Sequence, residues 1–208
     1  MHLTRAQTIR IMPISRKGTR YIARAKSHVH SAVPIVVALR DMLKVVHSMR
    51  EAKLLVHEKL ISVNGRQAKD VLESLRLFNI LGVKENLYRV NLLSSGRFHL
   101  EKTNDKKRLA KIVNKRLVKN GKIQLELHDG TNLLEDKKAN AKIGDSVELD
   151  FENKIIKVIS IEKGSKVFII SGKNIGLHGK IENVKEDKVK VNLAHKDVEL
   201  NKNQVVAL

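Results

Sequence analysis

The sequence predicts an α+β, multidomain protein in which two short helices are followed by many short strands. Two patterns point there. Apolar residues recur at helical spacing after Pro34 and again after Ser48, whereas from Ile123 onward short alternating stretches are separated by Gly-containing turn signals. A third observation, the uneven distribution of charge, divides the chain further. The expected segments are residues 1–33, a basic arm; 34–92, a compact helix-and-strand module; 93–165, a β-rich central domain; and 166–208, a small barrel.

Residues 1–40 hold eight basic side chains, and Asp41 is the first carboxylate of the chain. Seven of them, Arg5, Arg10, Arg16, Lys17, Arg20, Arg24 and Lys26, precede residue 30 in a stretch without a clean apolar period. Such a stretch reads as an arm, disordered alone and ordered on a polyanion. A secretory signal would need a compact apolar run followed by a small-residue cleavage site, and neither is present. The Arg content resembles an organellar transit peptide, but the charges run without an amphipathic period.

In the next segment Ile35, Val36, Leu39, Leu43 and Val46 fit a helix that opens just after Pro34. Ser48 and Glu51 form a capping-box pattern, so a second helix should start there. It should carry Ala52, Leu55 and Val56 inward, with Arg50, Lys53 and His57 on the other face. Leu60-Ile61-Ser62-Val63 then runs into Asn64-Gly65, which favours a tight turn with positive φ, and Arg66 and Lys69 leave that turn.

Between Lys102 and Lys122, nine Lys and Arg residues stand with one acid, Asp105. This is the densest basic run, and Lys107 and Arg108 are its candidate phosphate contacts. Leu109, Ile112, Val113, Leu117 and Val118 fit a helix about as well as a strand. Asn120-Gly121 ends the run with a hairpin signal. Strands are expected at 123–127, around Val147 and Leu149, and at 155–161, 167–170, 189–193 and 205–208, with turns at Asp129-Gly130 and Gly144-Asp145.

Composition limits function. Lys and Arg number 41 against 22 Asp and Glu, a formal net charge of +19, so the chain needs a polyanion or accepts self-repulsion. RNA, DNA and anionic membrane are the candidates. Membrane ranks last, because no apolar run approaches the roughly 20 residues that span a bilayer. With no cysteine, disulfides, thiolate catalysis and cysteine zinc sites are excluded. Trp is absent and aromatics are 3%, which argues against a stacking platform and leaves Lys and Arg to meet phosphates.

Ser48 to Asp70 reads SMREAKLLVHEKLISVNGRQAKD. It resembles the RNA-binding module named after bacterial small-subunit protein four, which also occurs in pseudouridine synthases and tyrosyl-tRNA synthetases. By that resemblance the helix start and the Gly turn face RNA, which implies Arg50, Lys53, Asn64, Gly65, Arg66 and Lys69. Val167 to Ile181 reads VFIISGKNIGLHGKI and resembles the KOW motif, a strand-loop-strand of an SH3-like β-barrel. Gly172, Gly176 and Gly179 would permit its sharp backbone path, and Lys173 and Asn174 would sit at the loop tip. A nucleotide-binding phosphate loop is excluded, because no Gly-Lys-Ser or Gly-Lys-Thr follows at the required spacing.

The order of the parts is more specific than any one of them. His2-Leu3-Thr4-Arg5, the helical module, His128-Asp129-Gly130-Thr131-Asn132, Ile143-Gly144-Asp145-Ser146-Val147 and the KOW stretch follow one another. That order resembles the archaeal and eukaryotic e-type small-subunit ribosomal protein four family. The resemblance implies a non-catalytic ribosomal RNA binder, cytoplasmic and within the ribosome. Its partners would be small-subunit ribosomal RNA and neighbouring ribosomal proteins, as a monomer within a large assembly. It also tilts residues 110–119 toward strand. No membrane, small-molecule substrate, cofactor or metal is expected. His28-x-His30 lacks a nearby carboxylate, and His128-Asp129-Gly130 sits where a hairpin turn is expected rather than a catalytic group. The alternative is a translation or transcription accessory factor that binds RNA transiently. An RNA-modifying enzyme and a DNA-compacting protein are weaker rivals.

Overall fold

The computed structural model describes residues 2–118, 121–135, 141–185, 187–193 and 196–208. Lys119 of the basic run and Asn120 of the expected Asn-Gly turn lie outside them. The described chain is mostly β, with few helices, and divides into two compact units, Met1–Lys106 and Lys107–Leu208.

The first unit opens with β1 (His2–Thr4), a 3₁₀ turn at Arg5–Gln7, and β2 (Tyr21–Ala23), antiparallel to β1. The expectation of an arm disordered by itself is therefore corrected. Met12 and Ala25 are buried, the Phe98 amide donates to the Ile11 carbonyl at 3.1 Å, and the Lys26 amide donates to the Leu72 carbonyl at 2.9 Å. Acid-poor composition signals solvation, but a few apolar side chains and backbone hydrogen bonds to the body suffice to dock the segment.

Next come β3 (Val33–Pro34) and α1 (Ile35–Val37), which widens into a π turn over Ala38–Met42 closed by the Leu43 amide on the Ala38 carbonyl. Ile35 to Leu39 are all buried, so this helix is enclosed on every side rather than amphipathic. In α2 (Met49–His57) the Ser48 hydroxyl accepts from the Glu51 amide at 3.2 Å. The Glu51 carboxylate reaches back to the His47 amide at 2.9 Å, one residue beyond the expected box partner. Ala52 is buried and Leu55 and Val56 are half-buried, whereas Arg50, Lys53 and His57 are exposed.

Strands β4 (Ile61–Val63), β5 (Arg66–Gln67), β6 (Ser74–Leu75), β7 (Ile80–Val83), β8 (Asn86–Leu92) and β9 (Phe98–Thr103) complete the unit. Five of them form an antiparallel sheet in the order β5-β4-β7-β8-β9, and β6 pairs with β3. Asn64 and Gly65 join β4 to β5 with φ of 52° and 81°, the paired positive values that a two-residue hairpin turn demands. The boundary expected after residue 92 falls inside this sheet. Strand β9 alternates buried Phe98 and Leu100 with exposed neighbours and zips onto β8 across the turn, with Leu92 opposite Phe98.

The second unit begins with β10 (Arg108–Leu117), so across those residues the open choice between helix and strand falls to strand. It is followed by β11 (Ile123–Leu127), β12 (Asn132–Glu135), β13 (Ser146–Leu149) and β14 (Ile155–Ile159). The sheet order is β12-β11-β10-β13-β14. β10 pairs with β13 over its first four residues and with β11 from Ile112 on, with a bulge between Ile112 and Asn114. Ala110, Ile112, Leu125, Leu127, Val147 and Leu149 form its core.

A second antiparallel sheet holds β15 (Lys166–Ile169), β16 (His178–Val184), β17 (Lys188–Leu193), β18 (Lys196–Asn201) and β19 (Val205–Ala207), in the order β18-β17-β16-β15-β19. Its core is Val167, Ile169, Ile181, Val189, Val191 and Val205.

One lysine ties the C-terminal segment to β10. The Lys111 ammonium is buried and donates to the carbonyls of Lys202 at 2.5 Å and Val205 at 2.7 Å. Burial pushes its pKa down from the ordinary 10.5 to about 8. Between those values the unfolded chain binds a proton that the folded chain has shed, so stability contributed by this residue rises with pH across that window. Below about pH 8 both states are protonated and the dependence vanishes. Urea unfolding of wild type and Lys111→Met from pH 7 to 10.5 checks this: the stability of wild type relative to the variant should stay constant up to about pH 8 and rise above it.

Candidate nucleic-acid interface

The exposed face of α2 and the segment that runs from β5 to Val71 line one basic groove. Arg50 and Lys53 lie one turn apart, both exposed, and neither has an acidic partner within ion-pair distance among the described residues. The groove measures about 570 Å³ and is lined by Lys53, His57, Lys59 and Lys69 beside Asp70. The Lys26 ammonium hydrogen-bonds Asp70 at 2.7 Å and holds its carboxyl below the usual range. Arg66 pairs with Glu73 at 2.7 Å, with its own side chain 58% exposed. Lys26 and Arg66 are the exposed partners of these pairs, each with 58% of its side chain open, so their charges remain within reach of a phosphate.

Gly65 and Lys69 are exposed beside Arg66. Asn64 works differently from the expectation. Its side-chain oxygen accepts from the Ile80 amide at 2.8 Å, so it shapes the turn that presents its neighbours.

In the N-terminal segment, Arg10, Arg16, Lys17 and Arg20 are exposed, and Arg24 is half-buried. The Arg5 guanidinium is committed to the loop that follows it. Its Nε donates to the Thr19 carbonyl at 2.7 Å and its Nη1 to the Ser15 carbonyl. Arg5, Arg10 and Arg16 nevertheless rim a basin of about 760 Å³ together with Arg97. Arg97 was not among the residues singled out from the sequence. It lies more than 80 positions away on the turn before β9, and only the fold brings it to the others.

Lys107 is exposed, but Arg108 is not available to a nucleic acid. Its side chain is 2% exposed and forms an ion pair with Asp129, itself 1% exposed. Its Nη2 also donates to Asn153 at 2.7 Å and to Thr131 at 3.2 Å. Arg108 shares strand parity with Ala110 and Ile112, so the side of β10 that faces the core claims it. That parity was the available signal. The Asp129-Gly130 turn, with Gly130 at φ 85°, therefore carries a buried structural acid.

In the loop between β15 and β16, Lys173 is exposed but Asn174 is buried, so only the lysine projects. Gly172 and Gly176 adopt φ of 96° and 79°. At Gly179 a Cβ would meet Val191 Cγ1 at 2.3 Å and the Asn192 carbonyl at 2.9 Å, so the close approach of β16 to β17 admits no side chain. Among the described residues no group of three His, Cys, Asp or Glu could hold a metal ion.

A chain of several small sheets, with cations on exposed turns and along one helix face, falls in the class of modular proteins that grip polyanions by surface charge. Residues 84–156 match the model of "Ribosomal family S4e". Small ribosomal subunit protein eS4 of Methanocella arvoryzae is 36% identical over 191 residues, covering 88% of this chain and 81% of that protein. The protein of the same name from Saccharolobus islandicus is 31% identical over 207 residues, covering 91% and 84%. The crystal structure of 30S ribosomal protein S4e from Thermoplasma acidophilum shares the fold, with a TM-score of 0.72 at 24% identity, over 86% of this chain and 95% of that one. This chain belongs to the S4e family of ribosomal proteins, a structural and non-enzymatic family.

Proposed function

We infer that the chain is a structural constituent of the small ribosomal subunit, cytoplasmic and within the ribosome, where it binds small-subunit ribosomal RNA. The observation that carries this is the pair of exposed cations on α2, Arg50 and Lys53, which form no ion pair among the described residues, in a chain of this family. Arginines and lysines neutralise phosphates and set register, and the contour of helix and turn matches folded RNA. Its partners are that RNA and neighbouring ribosomal proteins, and it acts as a monomer within the assembly, without a small-molecule substrate.

The finer architecture follows the same reading. The two helices and the sheet that ends with β9 act as a protein-four-type RNA-binding module, supported by a capped helix leading into strand, Gly turn and strand. Residues 166–208 act as an SH3-like barrel with a KOW loop, supported by five antiparallel strands and a glycine-rich connection between β15 and β16. The phosphate contacts are Arg10, Arg16, Lys17, Arg20, Arg50, Lys53, Arg66, Lys69, Lys107 and Lys173, with Arg24 and Lys26 at their margin. Arg5 and Asn64 hold backbone in place around them, Gly65 supplies the positive φ of the turn, and Asn174 is buried.

Arg50→Glu with Lys53→Glu is expected to weaken binding to small-subunit RNA by roughly 10-fold, since each reversal removes one phosphate contact and adds a repulsion. Both side chains are exposed, so the unfolding midpoint in urea should stay where it is. Unchanged affinity at matched salt would remove α2 from the interface.

A further inference from the structure

The chain has six Tyr and Phe residues and no Trp. Phe78, Phe98 and Phe168 are buried, and Tyr88 and Phe151 are half-buried. Tyr21 alone among them is exposed, with half of its surface open. It is not a stray ring on a loop. β2 holds it opposite Thr4 of β1, and the His2 ring packs edge-on against it at 4.5 Å between centroids. The Arg20 guanidinium lies 5.4 Å from the ring centroid. Residue Arg5, next to the Thr4 that pairs with Tyr21, begins the basin rimmed by Arg5, Arg10, Arg16 and Arg97 and floored by Ile9 and Met12.

An exposed aromatic ring, a guanidinium lying over one of its faces and a neighbouring basic hollow together have the chemistry of a nucleotide site, with the base taking the other face or sandwiched under Arg20. We propose that the N-terminal hairpin takes one unpaired nucleotide of the RNA, its base stacked on Tyr21 and its adjoining phosphates held at the arginine basin. This rests on the RNA-binding reading above. Bases within a duplex are already stacked and offer no free face, so a lone surface ring selects a bulged, looped or terminal nucleotide. One ring is not a platform, and low aromatic content does not conflict with a single stacking position. A protein segment could also cover an exposed tyrosine, but residues 1–40 carry eight cations and no acid, which suits a phosphate backbone.

Three RNA hairpins of equal length test this with the full chain: one fully paired, one with a single unpaired adenosine, and one with an abasic site at that position. The wild type should bind the adenosine bulge more tightly than the other two. Tyr21→Ala should lower affinity for the bulge by about 10-fold and leave the others nearly unchanged, while Tyr21→Phe keeps the preference. The Y21W protein has a single tryptophan, whose fluorescence should be quenched by the adenosine bulge and not by the abasic one. Equal losses on all three RNAs, or none, would overturn the stacking site while leaving RNA binding intact. Failure of the wild type to bind any of the three would instead overturn the RNA-binding reading itself.

Discussion

Raising salt from about 50 to about 200 mM should weaken binding to small-subunit ribosomal RNA by about 1,000-fold. Each phosphate neutralised by Lys or Arg releases condensed counterions, so log affinity falls linearly with log salt at about 0.7 to 0.9 per contact. The exposed cations named above, on a chain of net charge +19, support at least ~6 such contacts. Because the N-terminal segment is docked by Met12, Ala25 and backbone hydrogen bonds, deleting it would disturb the unit. Replacing Arg10, Arg16, Lys17 and Arg20 with Gln removes four charges while keeping Met12, Ala25 and the docking hydrogen bonds, and should make the slope shallower by up to ~3. A titration of both proteins at four salt concentrations, on RNA and on DNA of equal length, reads the outcome. A shallow slope that ignores the substitutions would sink the electrostatic mechanism. A steep slope with equal RNA and DNA affinity would favour DNA compaction, since A-form shape and 2′-hydroxyls would then play no part.

Asp129→Ala should destabilise the second unit by about 3–5 kcal/mol, because it strands the buried Arg108 guanidinium without its counter-charge. The remaining hydrogen bonds to Thr131 and Asn153 cannot neutralise that charge. Burial lowers the Arg108 pKa to about 10, the direction expected of a cation held out of water. Replacing both partners by apolar residues, Arg108→Met with Asp129→Leu, should recover much of the loss, since neither charge is then buried. The urea midpoints of wild type, single and double variants separate these cases. The double variant should also keep the wild-type salt slope, because Arg108 meets no phosphate. A shallower slope would return Arg108 to the interface.

Much of the molecule was legible because its rules are local. A capping box is satisfied within four residues, so Ser48 and Glu51 announce the start of α2 wherever the helix is placed. Asn64-Gly65 carries its own positive φ, and the alternation of Ile123, Leu125 and Leu127 states which side of β11 is buried. Charge counting likewise pointed to a polyanion without any fold. The sequence by itself therefore determined the elements of α2 to β5, most C-terminal strands, the class of partner and the basic face of the helix.

What a basic residue does with its charge was decided only by tertiary structure. Arg108 turns inward because Asp129, Thr131 and Asn153 converge on it from 21 to 45 residues away. Lys111 spends its ammonium on carbonyls more than 90 residues on. Arg97 joins Arg5, Arg10 and Arg16 only because β9 closes the sheet near the N-terminal segment. Local pattern encodes which backbone conformation is favourable. It does not encode which distant acid, carbonyl or cation arrives beside a given side chain, and in a low-dielectric interior that neighbour outweighs the composition of the run.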